Sequence, residues 1–414
     1  MKKILISSLL LLFTLFVITP VNACTTAVIS GKYTKSGRPM LWKNRDTWSI
    51  NNILRHFDDG KYSYVGLVNS KDLKGKSIWI GINSQGFGIM NSASYNLNLD
   101  NDAKLTGLEG RAMKEALATC KNLAEFEAYL DAMPKPSGLE ANFGVIDAFG
   151  GAAIYEFNHN GYVKFDANDP RVAPFGYIIR TNYSHTGKMG KESGGYIRYN
   201  TANELFYEKA STGGLTAQYI QQEVAKSLKH SLTNEDLFEK YGKFDPNHKQ
   251  YAHFRDYIPR SGSSSSCVVE GVKENEDPNL AMMWSNVGFP LVSMMIPTWV
   301  DDTELPEISR YNATIKDSPI CHAALQLKNE KVMHIRWGKA ERYYINVNAL
   351  SNNKGTGIAQ LVKKHENKIY QKTYNQIKKW RINGQADAKE MKKFYTWLND
   401  YIKETYENEF GITL

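Results

Sequence analysis

Apolar and polar positions recur along this chain with two periods, and the switch between them separates predicted strands from predicted helices. Thr25–Ser30 is β-branched and apolar, Gly31–Pro39 carries turn residues, and Met40–Trp42 resumes an extended run ending in Lys43-Asn44-Arg45-Asp46, which predicts strand, turn and strand. Ser77–Ile82 and Phe87–Asn91 flank the turn Asn83-Ser84-Gln85-Gly86, and Phe143–Ala148 and Ala152–Phe157 flank Gly150-Gly151, predicting two more hairpins. Between them Met113, Ala116, Leu117 and Cys120 follow helical spacing, and a second helix with Phe126, Tyr129 and Leu130 stops before Pro134. Cys120 on that apolar stripe reads as a packing cysteine.

Helical periodicity returns around Gln218–Leu228, and strands are expected over Cys267–Val272 and Ala281–Val287. From Ile358 the chain is Lys-rich and amphipathic, with Leu361, Val362, Ile369, Tyr370, Ile377 and Trp380 on one stripe and Phe394, Trp397, Leu398, Tyr401 and Ile402 on another. Hairpins and helix pairs without a repeating strand-helix-strand alternation predict an α+β fold of stacked antiparallel sheets with helices outside. One main domain over 24–350 and a helical extension over 351–414 are expected. The periodicity lets that extension cover a sheet, meet another subunit or shape a substrate mouth.

The first residues follow a different rule. Lys2 and Lys3 precede the apolar run 4–18, and Pro20 and Val21-Asn22-Ala23 follow, so residues 1–23 read as a secretory signal cut before Cys24. The run is too short to span a bilayer. Cleavage leaves 391 of 414 residues and lowers the formal charge from +8 to +6 by removing two lysines. With no polybasic run, neither nucleic acid nor a membrane span is expected, and the product should be exported to a periplasm or secreted. A 42% hydrophobic content suffices for a large core. Four cysteines are too few for a disulfide scaffold, and Cys267 and Cys321 read equally as a bridge or as two core thiols. No metal-ligand spacing and no phosphate-binding glycine loop occurs.

Cleavage would give Cys24 both a thiol and a free α-amine. An α-amine with a pKa of about 8 can take the thiol proton itself or through one water, so no histidine is needed. A carboxylate must orient that amine and donors must meet the oxyanion. Hairpin geometry returns Asp46 close to Cys24, and asparagines are candidate donors.

In these residues the chain resembles the cysteine N-terminal-nucleophile (Ntn) hydrolases that cleave linear amides, among them choloylglycine hydrolases, penicillin V acylases and isopenicillin N acyltransferase-like proteins. The resemblance spans roughly the first 300 residues through short, ordered motifs. The family opens on Cys-Thr, as in Cys24-Thr25. Its Arg-Asn-x-Asp segment is similar to Lys43-Asn44-Arg45-Asp46. Its hairpin asparagine is similar to Asn91, and its Thr-Asn pair to Thr181-Asn182. The resemblance implies a four-layer αββα sandwich and an exported amidohydrolase without cofactor or metal, acting on a small N-acyl amide. Cys24 is then the nucleophile, Asp46 orients its amine, Asn91 and Asn182 meet the oxyanion, and Lys43, Asn44, Arg45 and Arg260 support the site.

Two departures bear on the substrate. Lys43 stands where bile salt hydrolases carry arginine and lacks its bidentate fork. The serine run 263–266 leads to Cys267 rather than to a second arginine, the nearest being Arg260. Both point away from bile salts and penicillins, and Cys-Thr-Thr openings also occur in related dipeptidases. An acyltransferase, a dipeptidase and a lipoprotein acylated on Cys24 are the alternatives, although Val21-Asn22-Ala23 is a poor lipobox. A homo-oligomer stays open. By residue type alone Ser261–Ser266 reads as a solvated loop, Arg260 as a surface charge and Asp147 as a hairpin residue.

Overall fold

The computed structural model describes residues 23–98, 107–188, 194–300, 304–338 and 340–414. The signal sequence expected over 1–23 therefore lies outside the described residues except for Ala23. The predicted first hairpin forms as β1 (Ala23–Ile29) and β2 (Met40–Asp46), paired antiparallel with Ala27 opposite Trp42. They sit inside a six-stranded antiparallel sheet, between β10 (Tyr177–Arg180) on one side and the strands Ser263–Glu270, Met282–Val287 and Met295–Trp299 on the other.

A seven-stranded meander forms the second sheet in chain order: β3 (Asn52–Phe57), β4 (Tyr64–Asn69), β5 (Ile80–Asn83), β6 (Gly88–Ala93), β7 (Ala141–Ile146), β8 (Ala152–Asn158) and β9 (Gly161–Asp166). Both predicted later hairpins are part of it. The sheets meet through Val28, Leu41 and Val269 on one side and β6 and β7 on the other. A methyl group added at Gly144 would fall 2.2 Å from Met90 Cε and 2.8 Å from Val28 Cγ2, so that position must be bare.

Helices cover both outer faces, giving four layers. α1 (Glu109–Thr119) and α2 (Leu123–Asp131) lie on the meander, where Asn83 Nδ2 donates to the Leu117 and Cys120 carbonyls at 2.8 and 2.7 Å. Cys120 is buried there, as its spacing predicts. α3 (Tyr196–Gly213) lies on the six-stranded sheet, with Phe206 5.8 Å from Trp42. The helices Ile358–Asn383 and Ala388–Phe410 cover the far strands of the same sheet, with Tyr370 stacked 4.4 Å from Trp284 and Trp380 5.1 Å from Trp299. Of the three roles open to this C-terminal segment, sheet cover is the one its aromatic stripe performs. Glu366 locks it in place, accepting from Lys226 Nζ at 2.7 Å, Asn286 Nδ2 at 2.8 Å and Met295 N at 3.1 Å.

One expectation fails in an instructive way. The serine run is no solvated loop: Ser263–Glu270 is a wholly buried strand between β2 and Met282–Val287. Three of the four hydroxyls find partners inside, Ser263 Oγ on Asp46, Ser264 Oγ on the Arg45 carbonyl at 3.3 Å and Ser266 Oγ on Gln221 Oε1 at 3.0 Å, which lowers the cost of burying them, while Ser265 Oγ is buried without a hydrogen bond. Cys267 and Cys321 are separate buried thiols.

Candidate active site

Cys24 is the second residue of β1 and only 7% exposed, hemmed by β10 and β2. It pairs with Arg45, and Thr26 pairs with Lys43. Residues directly opposite in a ladder share a face, so Cys24, Lys43 and Arg45 project together into the space between the sheets. Asn44 and Asp46, one residue out of phase on β2, project toward α3.

Between the sheets, Lys43 Nζ donates to Asn91 Oδ1 at 2.7 Å and to the Trp79 carbonyl at 2.8 Å. Burial pushes this ammonium down to about 8, against the opposing pull of Cys24. With its oxygen held by Lys43, Asn91 turns its Nδ2 the other way. Arg45 does not complete a fork with Lys43. Its two terminal nitrogens donate to Asn52 Oδ1 at 2.6 Å and Asn69 Oδ1 at 2.9 Å, and its guanidinium lies 4.5 Å over the Trp79 ring. It pins the meander to β2 rather than reaching the thiol. Asn44 is likewise structural, donating to the Ile258 carbonyl at 2.9 Å.

On the α3 side, the Cys24 backbone N–H donates to Asn182 Oδ1 at 2.9 Å. Asn182 follows β10, and its Nδ2 donates to the Ala93 carbonyl at the end of β6 at 3.0 Å. The atom it presents to Cys24 is thus an acceptor. That orientation is dictated by Arg198, whose Nη2 donates to the same oxygen at 2.9 Å.

Arg198 is the residue that the sequence reading missed. It lies on α3, 1% exposed, and its Nη1 donates to the Cys24 carbonyl at 2.6 Å and to Thr25 Oγ1 at 2.7 Å. One guanidinium therefore ties the backbone of Cys24 to the side chain of Asn182. Burial lowers its pKa to about 10, with Arg260 adding to the effect and Asp46 opposing it. The backbone makes room for it: Gly195 has φ +106°, and a Cβ there would fall 2.3 Å from Nη2. The only sequence signal was the Gly194-Gly195 pair just before the helix.

Asp46 closes the same side. Its Oδ1 accepts from Ser263 Oγ, while Oδ2 is buried without a hydrogen bond, with Arg260 Nη1 3.9 Å away. Burial raises this carboxyl, and Arg260 and Arg198 pull it back down. Ala23 stands directly opposite Asp46 in the ladder. Asp147 is a hairpin residue, as expected, accepting from the Phe149 and Gly151 amides at 2.9 and 2.8 Å.

The structure thus gathers Cys24, Asp46 and Asn182 at one strand end, with Lys43 and Asn91 beneath, and uses Asn44 and Arg45 to hold the sheets. Among the described residues, no helix is long and apolar enough to cross a membrane. No family model and no curated protein matches the sequence. Solved structures to which the chain is similar include a Caenorhabditis elegans ortholog of N-acylethanolamine-hydrolyzing acid amidase (14% identity, 45% of this chain and 79% of that one, TM-score 0.35). They also include a mutant conjugated bile acid hydrolase from Clostridium perfringens (12% identity, 68% and 93%, TM-score 0.37). A third is penicillin V acylase from Agrobacterium tumefaciens (14% identity, 68% and 87%, TM-score 0.34).

Proposed function

We propose that this chain is an exported Ntn amide hydrolase that acts on a small N-acyl amide through a Cys24 thioester once the residues up to Ala23 are removed. The observation that carries this reading is the junction at Cys24, whose N–H is already held by Asn182 Oδ1 at 2.9 Å and whose carbonyl is held by Arg198 at 2.6 Å. The backbone nitrogen that would become the α-amine is therefore oriented in advance, and its holder is Asn182 Oδ1. Removing Ala23 would vacate the ladder position opposite Asp46 and leave an amine there as a second basic neighbour of Oδ2 beside Arg260 at 3.9 Å.

The mechanism follows from these positions. The α-amine takes the Cys24 thiol proton and the thiolate adds to the amide carbon. Asn91 Nδ2, turned outward by Lys43, donates to the oxyanion, and the nearby ammonium of Lys43 adds charge stabilisation. Collapse breaks the carbon–nitrogen bond, the Cys24 α-ammonium returns its proton to the leaving amine, and water then cleaves the thioester to a free acid and the original thiol. If an amine replaces water in the last step, the same site is an acyltransferase.

The lipoprotein alternative conflicts with the position of Cys24, because a diacylglyceryl group cannot be fitted on a 7%-exposed residue in an interior strand without opening the sheet. The test compares protein beginning at Cys24 with protein retaining Ala23 on a panel of N-acyl amides, with product analysis in the presence and absence of an acceptor amine. Turnover only by the form beginning at Cys24 supports the reading. Equal turnover by the form retaining Ala23 refutes it.

A further inference from the structure

An N-terminal cysteine brings a hazard along with a nucleophile. Once an acyl group sits on Cys24 Sγ, the α-amine of the same residue can close a five-membered ring onto the thioester carbon. That attack forms a carbon–nitrogen bond, breaks the carbon–sulfur bond and passes an amine proton to the departing thiolate. The product is an Nα-acyl cysteine with a free thiol and no α-amine left to act as base, so each event ends catalysis at that site. A well-oriented intramolecular attack has an effective molarity of roughly 10⁵–10⁸ M. Protonation cannot silence the amine, because the hydrolytic half of the cycle needs it neutral to activate water. Orientation has to decide between water and the amine.

The structure holds the two reacting ends apart. Cys24 N donates to Asn182 Oδ1 at 2.9 Å, and Asn182 is itself fixed, its Nδ2 on the Ala93 carbonyl at 3.0 Å and its Oδ1 also accepting from Arg198 Nη2 at 2.9 Å. The other terminal nitrogen of the guanidinium holds the Cys24 carbonyl at 2.6 Å and Thr25 Oγ1 at 2.7 Å, so one side chain secures the backbone on both sides of the Cys24 Cα. Arg198 is 1% exposed, which packs this clamp in place. The thiol points elsewhere, into the space between the sheets with Lys43 and Arg45, where Asn91, oriented by Lys43 at 2.7 Å, is the donor assigned to the acyl oxygen. For nitrogen to meet the acyl carbon, either the acyl group swings about the Cβ–Sγ bond away from Asn91 or the nitrogen leaves Asn182.

We infer that Arg198, acting through Asn182, is the positioning residue that keeps the acyl group on sulfur, holding the α-amine where it activates water and cannot take the acyl group from Cys24 itself. The inference rests on the amide-hydrolase reading. Loosening the clamp diverts acyl groups onto the enzyme's own N-terminus, a product that a merely structural residue would not control.

The test loads Cys24 without the natural substrate. The form beginning at Cys24 is acetylated briefly with p-nitrophenyl acetate and freed of excess reagent. Acetyl groups on its first peptide are then sorted over time, by mass spectrometry, into hydroxylamine-labile thioester and hydroxylamine-stable amide with a free thiol. The rate constant is taken per thioester present, so slower hydrolysis in a variant does not count as migration. In folded wild type, migration should run roughly 10²-fold slower than in the same acetyl-enzyme unfolded in guanidinium chloride at equal pH, the loss that a misplacement of about 1 Å brings. Arg198→Lys, whose one ammonium cannot span the three acceptors, should migrate at least roughly tenfold faster than wild type while folded. Asn182→Ala gives the same readout if the lysine variant does not fold. Equal migration in folded and unfolded wild type overturns the inference and leaves the hydrolase reading standing. Migration that stays at the wild-type rate in the folded variant overturns it as well, by removing the role from the clamp. A form beginning at Cys24 that takes no acetyl group there has no nucleophilic thiol, and the hydrolase reading falls together with the inference.

Discussion

Replacing Arg198 with Met keeps the side chain's length and apolar stem but removes three charge-assisted hydrogen bonds, to the Cys24 carbonyl, Thr25 Oγ1 and Asn182 Oδ1, at 2.6, 2.7 and 2.9 Å. Bonds to a charged donor contribute roughly 1.5–3 kcal/mol each, so their loss costs about 4–9 kcal/mol. Against this, a pKa lowered from 12.5 to about 10 by burial corresponds to roughly 3 kcal/mol of penalty on the charged form, which Met does not bear. The buried Nε, which has no partner, disappears as well. The net expectation is a destabilisation of about 1–6 kcal/mol by urea or thermal denaturation, a range that includes the cost of removing one member of a buried charged network. The activity loss should be larger than stability explains, because Asn182 is freed from the orientation that holds the Cys24 nitrogen. A fall of roughly 10²–10³ in kcat with KM within a few-fold is expected. Arg198→Lys should recover part of the stability but little of kcat, since one ammonium cannot span three acceptors. A variant with kcat within threefold of wild type would show that Arg198 only braces α3, and an unchanged melting temperature would refute the network itself.

Iodoacetamide at pH 7.5 should label the form beginning at Cys24 at that residue alone, read by peptide mapping. Burial raises the thiol pKa of Cys120, brings that of Cys267 to about 11 and lifts that of Cys321 well above its ordinary value, so none of them is a thiolate at that pH. Because burial raises the Asp46 carboxyl above its unfolded value, the folded state holds that proton more tightly; its stability contribution is present at low pH and is lost as pH rises through the window from 3.8 upward. The same shift predicts an acid limb of kcat/KM above the ordinary carboxylate range, absent from any residual activity of Asp46→Asn, and an unchanged limb in that variant would assign it elsewhere. Glu366→Ala leaves Lys226 buried without its carboxylate and takes an acceptor from Met295 N and from Asn286 Nδ2, which keeps the Ser293 carbonyl, and should cost roughly 3–5 kcal/mol in denaturant unfolding. Loss of less than 1 kcal/mol would mean that the C-terminal helices are held by their aromatic packing alone.

What the sequence determined by itself was whatever depends on neighbours in the chain. The β1–β2 hairpin, the α1–α2 pair and the two amphipathic C-terminal helices follow from alternation, helical spacing and turn residues, and each is a local pattern. Cys24, Asp46, Asn91 and Asn182 were readable as candidates because each lies on a short motif. Which atoms they use was not readable. Asn182 presents its oxygen to Cys24 only because Arg198, sixteen positions later on α3, donates to it. Ser263–Ser266 became a strand because β2 and Met282–Val287 flank it and three of its four hydroxyls find partners there, which no composition rule can supply. Arg45 turned from the thiol to the meander because Asn52 and Asn69 stand across from it. The cavity that opens on Asp46 brings Arg260 together with Lys328, Arg336 and Arg342 from a later segment, which no local pattern joins. Long-range pairing and face-to-face packing are decided by the mutual fit of whole sheets and helices, and only the tertiary structure carries that information.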